Sequence, residues 1–269
     1  MSTAASNIPP SITIYRGWKD YGKHVWSPFV VKLEARLRFA GIKYTVDAGS
    51  PKTAPRGKIP YIEYSEHSTA SRGDVTQLSD STMIIKKLSD WNVIPDFNAE
   101  LTPAVKAQDM ALQALLEDKL YFYHTWERWT QNYYTMRDHV FHALPYPVRL
   151  LVGMMVYRST VATLHGQGTG RFTPEEIAAF RQEIWMAVND LLIASRSKSE
   201  RAKPNEPFWV LGGDSPTEAD ATLFGFIVSV LLCTAAPDSQ KVVKGFPTVL
   251  TYADRIHDKY FPDYEKWKV

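Results

Sequence analysis

The chain has 269 residues and a single cysteine, Cys233. One cysteine cannot close an internal disulfide, and no Cys/His set has zinc-site spacing, so no metal is expected. An excess of charge is also missing: 31 Lys and Arg stand against 29 Asp and Glu, a formal net of +2. Nucleic-acid binding needs a concentrated basic surface, so no nucleic-acid partner is expected. Long apolar runs are absent. The two most apolar stretches, residues 148–156 and 221–232, fall short of the roughly 20 residues that span a bilayer. Both read as buried helices, and no stable membrane insertion is expected. The first ten residues have neither the basic nor the apolar segment of a secretory signal. No tail anchor follows Trp267-Lys-Val269, which argues against a mitochondrial outer-membrane role. A cytoplasmic location is the expectation.

What is present is enough to build a core. Hydrophobic residues make up 45% of the chain and aromatics 13%, with 8 Trp. At this length that supports one large domain or two modest ones. Residues 12–15 (Ile-Thr-Ile-Tyr) read as a first strand ending at Arg16-Gly17. Ser27-Pro28 is a helix N-cap with proline at the first helical position. Val30, Leu33, Leu37 and Ala40 then recur at helical spacing, with Lys32, Glu34, Arg36 and Arg38 between them. Gly41 ends that helix. Short strands are predicted at 44–46, 59–64 and 75–78, with a polar hairpin loop at 65–75. Ser79-Asp80-Ser81 caps a helix through Met83, Ile84 and Leu88. The order β-α-β, β-β-α describes a small α/β domain.

The remainder reads as helical. Thr102-Pro103 starts a long helix with Leu112, Leu115, Leu116 and Leu120. Thr173-Pro-Glu-Glu176 and Thr217-Glu-Ala-Asp220 are capping boxes. The second precedes the apolar run of residues 221–232, a helix buried on every side. Phe246-Pro247 opens a last helix. The expected division is residues 10–92 for the α/β part and 100–260 for the all-helical part.

This order, with Ile-Pro at the third strand, resembles a glutathione transferase. Ser27-Pro28-Phe29 resembles the position where cysteine- and serine-type members hold the thiol-activating residue. Gly57-Lys58-Ile59-Pro60-Tyr61 resembles the cis-proline segment. Asp80-Ser81 resembles the pair that grips the γ-glutamyl end of glutathione. Residues 165–176 and 209–225 resemble the "failed axon connections"/metaxin-like branch. The resemblance implies a thioredoxin-like, glutathione-binding N-terminal domain followed by a glutathione-transferase-type helical domain. It implies glutathione as cosubstrate, a small-molecule electrophile as partner, and a homodimer.

A hydroxyl at Ser27, beside the free N–H groups of a helix start, can donate to a glutathione thiolate and lower its pKa. The plainer reading of Ser27 is a helix cap, and Tyr15 is the rival donor. A cis bond at Ile59-Pro60 would leave the Ile59 backbone open to pair with the cysteinyl unit. Ser81 offers a hydroxyl and an N–H to a carboxylate. Asp80 would complement an amino group less directly, and Lys58 stands beside the bend. Trp18, Tyr21, His24 and Trp26, in the loop before Ser27, are assigned to one side of the apolar wall, with Tyr15 beside them. Tyr123 and Trp126 form the other side, from a belt that also holds Tyr121 and Phe122. The reaction would be conjugation, dehalogenation, ether cleavage or isomerisation, since all begin with the same sulfur. The alternative is a non-catalytic metaxin-like carrier or adaptor. Without a cysteine at position 27, chemistry through a protein–glutathione disulfide is disfavoured.

Overall fold

A computed structural model describes residues 10–66, 75–199 and 206–268. Strand β1 (Ser11–Tyr15) is followed by helix α1 (Pro28–Phe39), β2 (Thr45–Asp47), β3 (Tyr61–Ser65), β4 (Thr76–Ser79) and α2 (Ser81–Asp90). The sheet order is β2-β1-β3-β4; β1 and β2 are parallel, and the other pairs are antiparallel. The parallel pair requires a crossover, and α1 supplies it. Most of the hairpin loop expected at 65–75 lies outside the described residues. The predicted third strand starts two residues late, because Ile59 and Pro60 form a bend ahead of it. Alternation along β1 settles which side faces the core. Ile12 and Ile14 are buried against Leu33, Leu37, Ile62, Ile84 and Leu88, so Thr13 and Tyr15 point to the other face.

The helical part begins with α3 (Pro103–Ala114) and α4 (Tyr121–Trp126), interrupted by π-helical turns at Leu115–Leu120 and Glu127–Gln131. Next come α5 (Tyr133–Val140), α6 (Tyr146–Gln167), α7 (Pro174–Ser199), α8 (Glu218–Leu232), α9 (Pro237–Lys244) and α10 (Pro247–Tyr260). Both capping regions act as their sequences imply. Glu176 Oε2 accepts the Thr173 N–H at 2.8 Å, and Thr173 Oγ1 accepts the Glu176 N–H at 3.2 Å. Asp220 is fully buried but satisfied: it accepts from Thr217 N–H at 2.8 Å, Val210 N–H at 2.7 Å and the Tyr252 hydroxyl at 2.8 Å. Burial still outweighs those bonds and raises its pKa to about 6.

Helix α8 is the axis of the molecule and α1 lies along it. The approach is closest at Gly225, where a Cβ would sit 2.5 Å from the Pro28 carbonyl oxygen. Because α8 covers the outer side of α1, the charged residues interleaved in α1 are buried and paired. Lys32 Nζ bonds Glu117 Oε1 at 2.5 Å, and Arg36 Nε bonds Glu218 Oε1 at 2.7 Å. Arg16 Nη1, from β1's end, reaches Glu34 Oε1 at 2.9 Å. Each such pair would be costly to break from one side, since the survivor is a desolvated charge.

One expectation is overturned. Residues 148–156 fall in α6, but only Gly153 of that stretch is fully buried; Val148, Leu150, Leu151, Met154 and Met155 are exposed. Only one side of α6 packs on the bundle. An apolar sequence does not reveal whether both faces are covered. Residues 221–232, by contrast, are almost entirely buried, as expected.

Candidate functional site

Three backbone features meet at one edge of the sheet. The first is the start of α1. Ser27 is its N-cap with extended backbone, and Pro28 occupies the first helical position. The Ser27 Oγ accepts from the Val30 N–H at 3.4 Å, a long bond that leaves the hydroxyl proton uncommitted. The preceding carbonyl, of Trp26, accepts from Arg128 Nη1 at 3.4 Å and also from the Ser229 hydroxyl. Ser27 is thereby held by two helices of the other domain.

The second feature is the bend. The Ile59-Pro60 peptide is cis. Among the described residues the Ile59 N–H and C=O have no partner. The Pro60 carbonyl accepts the Asp80 N–H at 3.4 Å, which ties the bend to the start of α2. The third feature is that start. Asp80 is the N-cap, with φ 77° and ψ 120°, a conformation L-residues rarely adopt. It is held by its carboxylate, which accepts from the Thr82 and Met83 N–H groups, both at 3.1 Å. Ser81 follows, only 4% exposed. Neither its N–H nor its hydroxyl has a partner among the described residues. Two unpaired donors at a helix start form a ready anion site.

A cleft of about 440 Å³ runs between these features and the helical part. Lys58, Ile59, Pro60, Asp80 and Ser81 line one side, and Glu117, Asp118, Tyr121 and Phe122 line the other. At its floor Lys32 Nζ joins Thr82 Oγ1, at 3.0 Å, to Glu117. A smaller hollow of about 170 Å³ adjoins it, sharing Phe29, Ile59 and Tyr121. Ser27, Trp18, Trp26, Arg128, Met136 and His139 complete its wall. His139 stacks on Trp26 with ring centroids 3.4 Å apart. Burial, aided by neighbouring His142, lowers its pKa to about 4, so its ring is neutral near pH 7.

Several assigned wall residues lie elsewhere. Tyr15 stacks on Tyr61 across the outer sheet face and donates to Glu63 Oε2 at 2.9 Å. Burial and Glu63 raise its pKa to about 12, the wrong direction for a group meant to act near neutrality. Tyr21 is 69% exposed and donates to the Val46 carbonyl. His24 is buried among Phe224, His257, Phe261, Tyr264 and Trp267, where desolvation lowers its pKa. Tyr123 is in the helical core, stacked on Phe180. Trp126 packs against that core and lines neither hollow. Trp18 lines the Ser27 hollow. Trp26, from the same loop, lines that hollow as expected, and Tyr121 and Phe122 of the aromatic belt line the cleft; Phe29, Met136 and His139 complete the apolar lining, with the polar groups of Glu117, Asp118 and Arg128.

The remaining reactive groups are accounted for by packing. Cys233 is fully buried, which raises its thiol pKa. Arg171 Nε donates to the His165 carbonyl at 3.2 Å and closes the turn after α6. Among the described residues no three His, Cys, Asp or Glu side chains are grouped to hold a metal ion. Among the same residues no single helix is long and apolar enough to cross a membrane.

The glutathione S-transferase N-terminal domain family matches residues 28–136. The chain is 24% identical over 263 residues to "Failed axon connections" of Drosophila melanogaster, covering 89% of this chain and 56% of that protein. It therefore spans little more than half the length of that relative. The structure resembles glutathione transferase GSTFuA3 from Phanerochaete chrysosporium, with TM-score 0.54 and 17% identity over 96% of this chain and 99% of that one. It also resembles Ure2p in complex with glutathione, with TM-score 0.53 and 13% identity over 93% of this chain and 90% of that one. The four-stranded sheet with its proline bend and the helical part joined to it share the fold of glutathione transferases, and residues 28–136 match the N-terminal domain of that family.

Proposed function

We propose that this protein binds glutathione in the 440 Å³ cleft and presents its thiol at Ser27 to an apolar or aromatic electrophile. The observation that carries the reading is the set of unpartnered backbone and hydroxyl donors at one edge: the Ile59 peptide and both donors of Ser81. A tripeptide with a carboxylate at one end suits this set. Its γ-glutamyl carboxylate would take the Ser81 N–H and hydroxyl. Its cysteinyl amide would pair with Ile59 as a short added strand. Its ammonium finds the carboxylates of Asp80 and Asp118 lining the same cleft. The thiol would then point along the shared wall of Phe29 and Ile59 into the adjoining hollow.

At Ser27 the hydroxyl donates to the sulfur, and the start of α1 adds its positive end. Both favour the thiolate over the thiol and so increase the nucleophile available near neutral pH. Neutral His139 and the rings of Trp18 and Trp26 make the adjoining hollow largely apolar, which suits an aromatic acceptor. Attack forms the carbon–sulfur bond and either expels a leaving group or adds across an activated double bond. The protein contributes the thiolate's stabilisation and its position.

A titration with glutathione, followed by tryptophan fluorescence, tests binding: Trp18 and Trp26 line the Ser27 hollow and should report it. Turnover of a model aromatic electrophile by the same preparation tests chemistry. Saturable quenching with turnover is expected. Saturable quenching without turnover would leave a glutathione carrier, and no saturation at millimolar glutathione would overturn the reading.

A further inference from the structure

We propose that the outward face of α6 docks on the surface of an anionic phospholipid bilayer, lying along it. The observation is an inversion of the usual helix pattern. A surface helix normally turns apolar residues inward and charged ones outward. In α6 the outward positions Leu151, Met154 and Met155 share one face with Val148, and Tyr146 and Leu150 flank it. Leu151 is 59% and Met155 63% exposed. That is a contiguous exposed apolar surface of the kind that marks a contact site.

Charge identifies what the surface meets. No Asp or Glu occurs between Asp138 and Glu175. In that interval Arg149, Arg158 and Arg171 are the only formal charges, with His139, His142 and His165 beside them. Asp138, at the edge, is neutralised by Arg137 at 2.8 Å and Arg149 at 3.8 Å. Arg158 sits one turn beyond Met154 and Met155 on the outward face, exposed and without a partner among the described residues. An apolar face bordered by cations, with no acid in its own stretch of chain, is complementary to hydrocarbon beneath anionic headgroups. A second copy is a poorer fit. A two-fold contact sets each patch against itself, so Arg158 would face like charge with no acid inside the patch to pair it. Arg149 is committed to the His142 and Leu144 carbonyls, so among the described residues the free guanidinium within the helix is that of Arg158, whose tip can reach a headgroup phosphate while the helix lies along the surface. Helix α6 rests on α5 through its buried Gly153, beside Arg137, so α5, which carries Met136 and His139 of the Ser27 hollow, would lie directly behind the docked helix.

The test is co-flotation of the full chain with phosphatidylcholine vesicles, with and without phosphatidylserine. The wild type should float with the anionic vesicles and stay behind with the neutral ones. Arg158→Glu should weaken the partition by at least about fivefold. The pair Leu151→Ser with Met155→Ser should weaken it by about tenfold or more. All these positions are exposed, so the melting temperature should be unchanged, and this separates lost docking from lost fold. The proposal is overturned if the wild type does not float with anionic vesicles, or if the variants float equally well. It is also overturned if sedimentation shows a dimer that Leu151→Ser with Met155→Ser dissociates while no vesicle is bound.

Discussion

Replacing Ser27 by alanine separates a helix cap from a thiolate donor. The cap bond to the Val30 N–H is long, at 3.4 Å. Its loss should cost at most about 1 kcal/mol, the usual cost of an N-cap residue. For a chain of this size that is a fall in melting temperature of roughly 2–4 °C. The effect on bound glutathione is of a different kind. A hydrogen bond to a charged group is worth about 1.5–3 kcal/mol. If Ser27 donates one to the sulfur, its removal raises the bound thiol's pKa by about 1–2 units, at 1.36 kcal/mol per unit. At neutral pH the thiolate population then falls about 10- to 100-fold, and turnover at saturating glutathione falls with it. The assay is the ultraviolet absorbance of the bound thiolate against pH, run beside the rate profile. His139 is already neutral above about pH 5, so it adds no inflection near neutrality. An alanine variant that melts a few degrees lower yet keeps the same thiol pKa and turnover would refute the donor role and leave Ser27 as a cap.

Four other substitutions have defined outcomes. Ser81→Ala should weaken glutathione affinity about 10- to 100-fold in the fluorescence titration, because the hydroxyl is lost while the N–H stays; a change under twofold would remove Ser81 from the site. Tyr15→Phe should leave the thiol pKa and turnover unaltered, since its hydroxyl is bonded to Glu63 on the outer sheet face; a large loss of turnover would reinstate it. Glu127→Ala should lower stability by about 3–5 kcal/mol in denaturant unfolding. That substitution strands buried Arg181, 2.7 Å away, and uncaps the Asp238 and Ser239 N–H groups at the start of α9; a loss below 1 kcal/mol, on the scale of an exposed pair, would contradict this. Asp220 gives a pH dependence. Its pKa is raised by burial to about 6, so between about pH 4 and 6 the unfolded chain releases this proton while the folded one keeps it. Stability should fall across that window, by a contribution of order 3 kcal/mol, and the fall should be shallower in Asp220→Asn; equal slopes would show the carboxyl titrates normally.

The parts of the site that could be read from sequence are those set by neighbours along the chain. Ser27-Pro28, Thr217 to Asp220 and Asp80-Ser81 announce helix starts through local capping chemistry, and the helices begin there. The wall residues depended on tertiary arrangement. Alternation along β1 places Tyr15 on the face opposite Ile12 and Ile14, so its outward position is legible from the strand pattern itself. His24 is enclosed by Phe261, Tyr264 and Trp267 from the far end of the chain, which nothing local foretells. In the segment after α3, two π-helical turns rotate the helix face relative to a 3.6-residue period. That shift brings Tyr121, Phe122, Glu117 and Arg128 to the two hollows and sends Tyr123 into the core. The burial of Lys32, Glu34 and Arg36 has the same root. Composition marks them as surface residues, and only the covering helix α8 and the carboxylates and guanidinium opposite make them interior.

A crystal soaked with glutathione, without any electrophile, examines the central claim most directly. Density for the tripeptide is expected along the proline bend, with its cysteinyl amide paired to the Ile59 backbone and its γ-glutamyl carboxylate on the Ser81 N–H and hydroxyl. The sulfur should lie within hydrogen-bond reach of Ser27. Density that leaves Ile59 and Ser81 bare at saturating glutathione, or that places the sulfur away from the start of α1, would contradict it.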